Sequence, residues 1–271
     1  MNTSTVPDLQ SEYDLTQQQI EQYQQDGHVL CKGLASRDEI TFYHSAILDG
    51  VQKLNTERRK MEERDTYGKA FLQIFNLWRQ SEVLKRFVLA KRFAHVAAKL
   101  MGVGKVRLYH DQALFKEPGG GHTPWHQDQY YWPLDTNNTI TMWMPLVDIT
   151  SDMGIMRFAS GTHRLGSITS KEISDDSEDF FNDFVSKNKF NISGATSMSA
   201  GDATFHAGWT LHNAPGNHSP TMREVMTIIY FADKAKVVKP EHDHRKKDHE
   251  VWLMGIPPGE YAASELNPLI D

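Results

Sequence analysis

The stretch VRLYHDQALFK (106–116) marks a change of texture along the chain. It sets Val, Leu, Tyr and Phe among polar residues, the composition of a strand. Runs of the same kind recur at 139–148, 155–158, 203–206 and 224–231, punctuated by Gly, Pro, Asn and Asp. Short strands in succession, with no helix after each, predict an antiparallel barrel or a double-sheet jelly roll. One segment interrupts them: KEISDDSEDFFNDFVSKNKF (171–190) is acidic and then aromatic. It reads either as a mobile lid or as a surface helix docked through Phe180, Phe181 and Phe184.

Upstream the pattern is mostly helical. Residues 1–14 form a polar arm without the basic start and apolar run of a secretory signal. Thr16 and Gln19 are spaced as a capping box, and Ile20 and Tyr23 give the following helix a thin apolar face. Asp26-Gly27 stops that helix, His28–Cys31 is a short strand, and Ser36 caps a second helix over 37–54. TERRKMEERD (56–65) reads as a solvated helix end or loop. A helix is predicted over 82–101, with Val83, Phe87, Ala90, Phe93, Ala94 and Ala97 inward. Downstream, HDHRKKDHEVW (242–252) reads as a solvated loop, its histidines spaced like no standard zinc site. The organisation is therefore an arm (1–14) and one domain (15–271). That domain divides into helical support (15–105), a β core (106–233) and a C-terminal extension (234–271).

Composition narrows the function. The chain has 271 residues, 39% of them hydrophobic and 24% charged, enough for one well-packed domain. A net charge of −6 argues against a duplex nucleic-acid binder. No apolar run approaches the length of a membrane span. The single cysteine, Cys31, excludes an intrachain disulfide, a cysteine zinc finger and an iron–sulfur cluster. The simplest expectation is a cytoplasmic protein with a small-molecule partner, no nucleic acid and no membrane. Nothing in the sequence sets the oligomeric state.

The chemistry centres on Trp125-His126-Gln127-Asp128. On a strand, residues two apart share a side, so His126 and Asp128 would present an imidazole and a carboxylate to one point. A third ligand from His206 or His212 completes the two-histidine, one-carboxylate set of non-haem Fe(II) oxygenases, which leaves iron positions open. Arg223 follows His212 by eleven residues, and its fork suits the far carboxylate of a dicarboxylate co-substrate. Trp143, in TMWMPLVD (141–148), is a candidate wall for that co-substrate. Gly161-Thr162-His163-Arg164 reads as a turn, and the glycines at 119–121 leave His122 on a pliable loop.

Taken together, WHQDQYYWPL (125–134), TMWMPLVDITSDMGIMRFASGTHR (141–164) and GDATFHAGWTLHNAPGN (201–217), followed by Arg223, resemble the phytanoyl-CoA dioxygenase-like family of Fe(II)/2-oxoglutarate-dependent oxygenases. QYQQDGHVLCKGL (22–34) is similar to that family's opening helix and strand. The resemblance spans about residues 15–233. It implies a mainly β fold with packing helices: a double-stranded β-helix, or cupin-like jelly roll. It implies iron on His126, Asp128 and His212, with His212 preferred to His206 for its family LH position. It implies Arg223 and Trp143 at 2-oxoglutarate, with Gln112 and Gln73 nearby. Trp132 falls where related hydroxylases hold substrate, and His110 and Lys116 precede the metal pair on a strand that can face the pocket. O₂ is then the second co-substrate. Halogenating relatives carry a small residue in place of Asp128, so hydroxylation with release of succinate and CO₂ is expected.

Three other readings stay in view. An acyl-CoA hydroxylase would need a basic surface, for which only 56–60 and 245–247 are candidates. A cupin-type metalloenzyme normally has an HxH pair and a Glu. A non-catalytic jelly roll would have a broken ligand set. Tyr130, Tyr131, Trp132 and His110 tilt the substrate toward a small polar molecule, an aminophosphonate being one example.

Overall fold

The computed structural model describes residues 6–169 and 175–271. Helices α1 (Gln17–Asp26), α2 (Arg37–Leu54), α3 (Thr66–Ala70), α4 (Glu82–Val88) and α5 (Lys91–Met101) occupy the first part, with β1 (His28–Cys31) and β2 (Leu72–Phe75) between them. The β part runs β3 (Val106–Phe115), β4 (Thr123–His126), β5 (Thr139–Pro145), β6 (Ile149–Thr150) and β7 (Arg157–Ala159). After α6 (Asp175–Asn188) come β8 (Ile192–Ser193), β9 (Ser197–Met198), β10 (Ala203–Ala207), β11 (His212–Ala214) and β12 (Val225–Ala232). Helix α7 (Asp243–Val251) and β13 (Leu269–Ile270) close the chain.

The strands form a jelly roll with every pairing antiparallel. The large sheet is ordered β1-β10-β5-β12-β3-β13, with β2 also on β3. A smaller sheet, β4-β11-β7-β8, faces it, and β6 pairs β9. Helices cover the outer face of the large sheet, and period-two alternation divides each strand between helix side and interior. On β5, Ile140, Met142 and Met144 join Phe87, Phe93 and Ala97 in the main core, while Trp143 packs in the interior. On β12, Met226, Ile228 and Tyr230 go outward to the helices, and Ile229 and Phe231 go inward.

One irregularity matters for the site. Ile229 pairs His110 but Tyr230 pairs Leu108, so Tyr109 is an extra residue on β3. This bulge breaks the alternation. Leu108 packs under the helices, whereas Tyr109 and His110 both serve the interior.

Several sequence expectations change. The predicted 82–101 helix is two helices, because Ala90 is extended (ψ 123°) and caps α5. The 56–65 stretch is only partly solvated: Met61–Glu63 is a short 3-10 turn, and buried Arg64 pairs with Glu117. The described part of the arm, 6–14, is docked. Leu9 is 1% exposed, Tyr43 donates to the Pro7 carbonyl at 2.9 Å, and Arg92 Nε donates to the Ser11 carbonyl at 3.1 Å. Residues 170–174 lie outside the described residues. The rest of 171–190 is largely α6, which sits on β4: Trp125 donates its backbone N–H to Glu178 and its indole N–H to Asn182, and Phe181 is buried. The 242–252 tail is not a loop but α7, capped by the His242 side chain. Among the described residues no helix is long and apolar enough to cross a membrane.

Candidate metal and co-substrate site

Two neighbouring strands of the smaller sheet, β4 and β11, set the histidines. His126 ends β4 and His212 opens β11, and the two are direct partners across that pair. Their rings lie 4.1 Å apart. Asp128 is not on the strand. It begins a 3-10 turn at 128–130, so the turn, rather than strand alternation, brings its carboxylate to the histidines. Between them, Gln127 points the other way and ties two loops, donating to the Gly166 and Trp209 carbonyls.

The hydrogen bonds orient all three groups for a cation. His126 Nδ1 lies 2.8 Å from the Pro124 carbonyl and His212 Nδ1 2.9 Å from that of Thr210. A carbonyl only accepts, so each Nδ1 carries the proton and each Nε2 keeps its lone pair. These Nε2 atoms lie 3.5 Å (His126) and 3.7 Å (His212) from Asp128 Oδ1. The other oxygen, Oδ2, is otherwise engaged: it accepts from Thr141 Oγ1 at 2.9 Å and His206 Nε2 at 3.2 Å. His126, Asp128 and His212 thus offer three ligand atoms within 4.8 Å of one another. His206 holds the carboxylate from behind.

Electrostatics agree with this arrangement. Burial works to raise the Asp128 carboxyl, but His212, His126 and His206 together hold it well below the usual range. Burial, helped by the neighbouring histidines, pushes His212 well below its ordinary value. An ionised carboxylate and neutral imidazoles are the states that bind a divalent metal.

Arg223 is 2% exposed and bridges Lys116 just before β12. Its Nη1 donates to the Gly154 carbonyl at 2.5 Å, and its guanidinium lies 5.3 Å from the centre of the Trp143 ring. Its Nε finds no hydrogen-bond partner, and it forms no carboxylate ion pair among the described residues. Burial lowers it to about 9. A buried guanidinium without an acid partner fits a ligand carboxylate.

One cavity of about 380 Å³ joins these groups. His126, Asp128, His212, Arg223, Trp143, Gln112, Gln73, Trp132 and His110 all line it. Gln73 Nε2 donates to Gln112 Oε1 at 2.9 Å, which carries a polar strip from β2 to β3. Burial lowers His110 to about 3, with Asp128 opposing weakly, so this ring is neutral.

Lys116 departs from its expectation. It does not line the cavity. It lies past the end of β3, and its Nζ donates to the Gly121 carbonyl and approaches Thr123 Oγ1 at 3.5 Å. Burial, then Arg223, lowers its ammonium to about 6. Neither His122 nor His163 is on the wall.

Sequence reasoning missed Thr141, although its two-residue spacing from Trp143 on β5 was a usable signal. It also missed the α7 contribution of His244, Lys247 and Asp248, followed by Trp252. That helix has no apolar periodicity to announce itself.

A jelly roll with two histidines and one carboxylate on a metal face, beside a buried Arg facing the same cavity, defines an Fe(II)/2-oxoglutarate-dependent dioxygenase. The three ligand atoms and the buried Arg223 fit Fe(II) and 2-oxoglutarate. Comparison with known proteins gives the family. The phytanoyl-CoA dioxygenase (PhyH) family model matches residues 23–225, and the chain belongs to that family. The ectoine dioxygenase of Bordetella bronchiseptica is 22% identical over 252 residues, covering 84% of this chain and 79% of that protein. Among solved structures, the non-heme alpha ketoglutarate dependent carbocyclase SnoK from nogalamycin biosynthesis superposes with a TM-score of 0.76 at 24% identity, covering 95% of this chain and 97% of its own. EctD from S. alaskensis with 2-oxoglutarate and 5-hydroxyectoine gives 0.69 at 20%, covering 88% and 85%. The structural likenesses show the shared fold.

Proposed function

We propose that this dioxygenase hydroxylates an unactivated C–H bond of a small polar organic substrate. The observation that carries the proposal is the cavity that the groups of the site share. The three ligand atoms and Arg223 line it together with polar and aromatic residues, among them His110, Tyr131, Trp132 and the α7 residues. Bound iron and 2-oxoglutarate supply the oxidising chemistry, in which O₂ and 2-oxoglutarate give succinate, CO₂ and one oxygen atom for the substrate.

The protein residues supply position. His126, Asp128 and His212 would hold the metal, and three protein ligands would leave it open to the co-substrates. Arg223, steadied by Trp143, takes the far carboxylate of 2-oxoglutarate and so fixes the orientation of the co-substrate. Thr141 and His206 keep Asp128 Oδ2 occupied, which directs Oδ1 at the metal. Asp128 fills the position that a halide would need, which supports hydroxylation.

The acyl-CoA alternative finds little support in the basic segments. Arg58 and Arg59 direct their guanidinium donors at backbone carbonyls and Glu57. Arg245 bonds the Tyr130 and Gln129 carbonyls, and Lys246 pairs with Asp243. Lys247 alone of that triplet reaches the cavity rim. A cytoplasmic location belongs to the same reading and is supported by the one cysteine, Cys31, which is buried and unbridged.

The test is product analysis. Iron-loaded protein with 2-oxoglutarate is given ¹⁸O₂ and a panel of amines, amino acids, aminophosphonates, free acids and acyl-CoAs. A small polar compound gaining one ¹⁸O atom is the expected result. Turnover confined to acyl-CoAs contradicts the substrate class.

A further inference from the structure

The cavity wall contributed by the C-terminal extension plays no part in the metal chemistry. Asp248, on α7, lines the cavity and is half-buried. Its Oδ2 accepts from the Tyr109 hydroxyl at 2.9 Å. Tyr109 reaches it because the β3 bulge turns Tyr109 inward beside His110. Among the described residues Asp248 has no ion pair. Burial pushes its carboxyl up to about 7, with the Tyr109 bond and Lys247 opposing. Lys247 itself is exposed at the rim, where water screens it.

Aromatic rings share this part of the wall. Phe75 and Trp252 stack with centroids 4.8 Å apart, and Trp252 lies 5.1 Å from the His110 ring. Trp132 packs on Tyr109 at 5.4 Å, and Tyr131 also lines the cavity. Ring faces attract cations, and a carboxylate with one neutral donor and no ion-pair partner does so more strongly. His110 and His244 face the same space, and His110, held neutral by burial, adds no positive charge. A purely apolar substrate would leave Asp248 uncompensated, at a cost.

We infer that Asp248 and the surrounding Phe75, Trp252, Tyr131 and Trp132 rings form a subsite for a cationic nitrogen, so that the substrate is a small molecule carrying an ammonium or related cation. The subsite deepens the hydroxylase reading, on which it rests for the fate of the bound molecule. Asp248 is a specificity-determining residue: it places the cationic end on α7 and the rest of the molecule toward the iron.

The probe pair is n-butylammonium and n-butanol, titrated calorimetrically into metal-free protein and into iron- and 2-oxoglutarate-loaded protein under nitrogen. Wild type should bind the ammonium at least about tenfold more tightly than the alcohol. Asp248→Asn keeps an acceptor for Tyr109 but loses the charge, and should bring the two probes within about threefold. No ammonium binding, no preference in wild type, or a full preference retained by Asp248→Asn overturns the inference. If Asp248→Asn does not fold, Trp252→Leu decides: ammonium affinity should fall at least about threefold, and no change overturns the subsite. Failure to bind iron or 2-oxoglutarate would sink the dioxygenase reading instead, and the metal-free titration would still judge the cation subsite.

Discussion

Asp128 divides its two oxygens between two tasks: Oδ2 accepts from His206 Nε2 at 3.2 Å, while Oδ1 faces His126 and His212. The division arises from strand register. Thr141 on β5 and His206 on β10 are Cα partners, so both reach the same carboxylate oxygen from adjacent strands.

This relationship separates ligand from support. His212→Ala removes a lone pair aimed at the metal and is expected to abolish stoichiometric iron binding. His206→Ala leaves the three ligands and should weaken iron by about 10–100-fold, as loss of a group that orients a ligand does. Metal titration of both variants checks the order. Equal loss in the two would place His206 among the ligands.

Arg223→Ala should raise the KM for 2-oxoglutarate by about 10–100-fold, since a charge-assisted hydrogen bond contributes about 1.5–3 kcal/mol. Iron affinity should hardly change, because Arg223 does not touch the three ligands. Steady-state kinetics against 2-oxoglutarate, with iron binding measured in parallel, tests the split.

His28 gives a pH dependence of stability. It is 6% exposed, hydrogen-bonded to Ser160 and Ser193, and stacked on Phe158. Burial, then His206 and His163, lower it to about 4 from 6.5. The unfolded chain therefore takes up a proton near pH 6.5 that the folded chain refuses until about pH 4. Stability is lost as pH falls through that window, by about 3 kcal/mol at about 1.4 kcal/mol per unit. His110 adds to the same slope. His28→Gln, which keeps polar contacts without titrating, should flatten urea-derived stability between pH 6.5 and 4.

Arg92 anchors the N-terminal segment. Its guanidinium pairs with Glu39 at 2.8 Å and bonds Ser11 and the Leu34 carbonyl. Arg92→Ala strands a mostly buried carboxylate and should cost about 3–5 kcal/mol, measured by urea unfolding of the metal-free protein.

Much of the site was legible because its groups sit in short, punctuated motifs. His126 and Asp128 are two residues apart, and His212 and Arg223 keep a fixed spacing. The reason given for the first pair was incomplete: a turn, not a continuous strand, delivers Asp128. Three features were hidden. The bulge at Tyr109 breaks alternation without any glycine or proline to mark it. Lys116 has the right parity for the cavity but lies past the strand end, where the Gly121 carbonyl captures it. Helix α7 is polar on all sides in sequence, and only its tertiary position makes Asp248 a cavity residue. The helices were easier, since Thr16 and Ser36 both form the capping boxes their spacing predicts.

The most direct test of the central claim is succinate formation from 2-oxoglutarate by iron-loaded protein under air, compared with His212→Ala. The substrate panel above is included in both. Wild type should release succinate in step with oxygenated product, and the variant should release none above the iron-only background. Equal succinate from the two proteins, or none from wild type with every compound while 2-oxoglutarate fails to bind, would contradict the account.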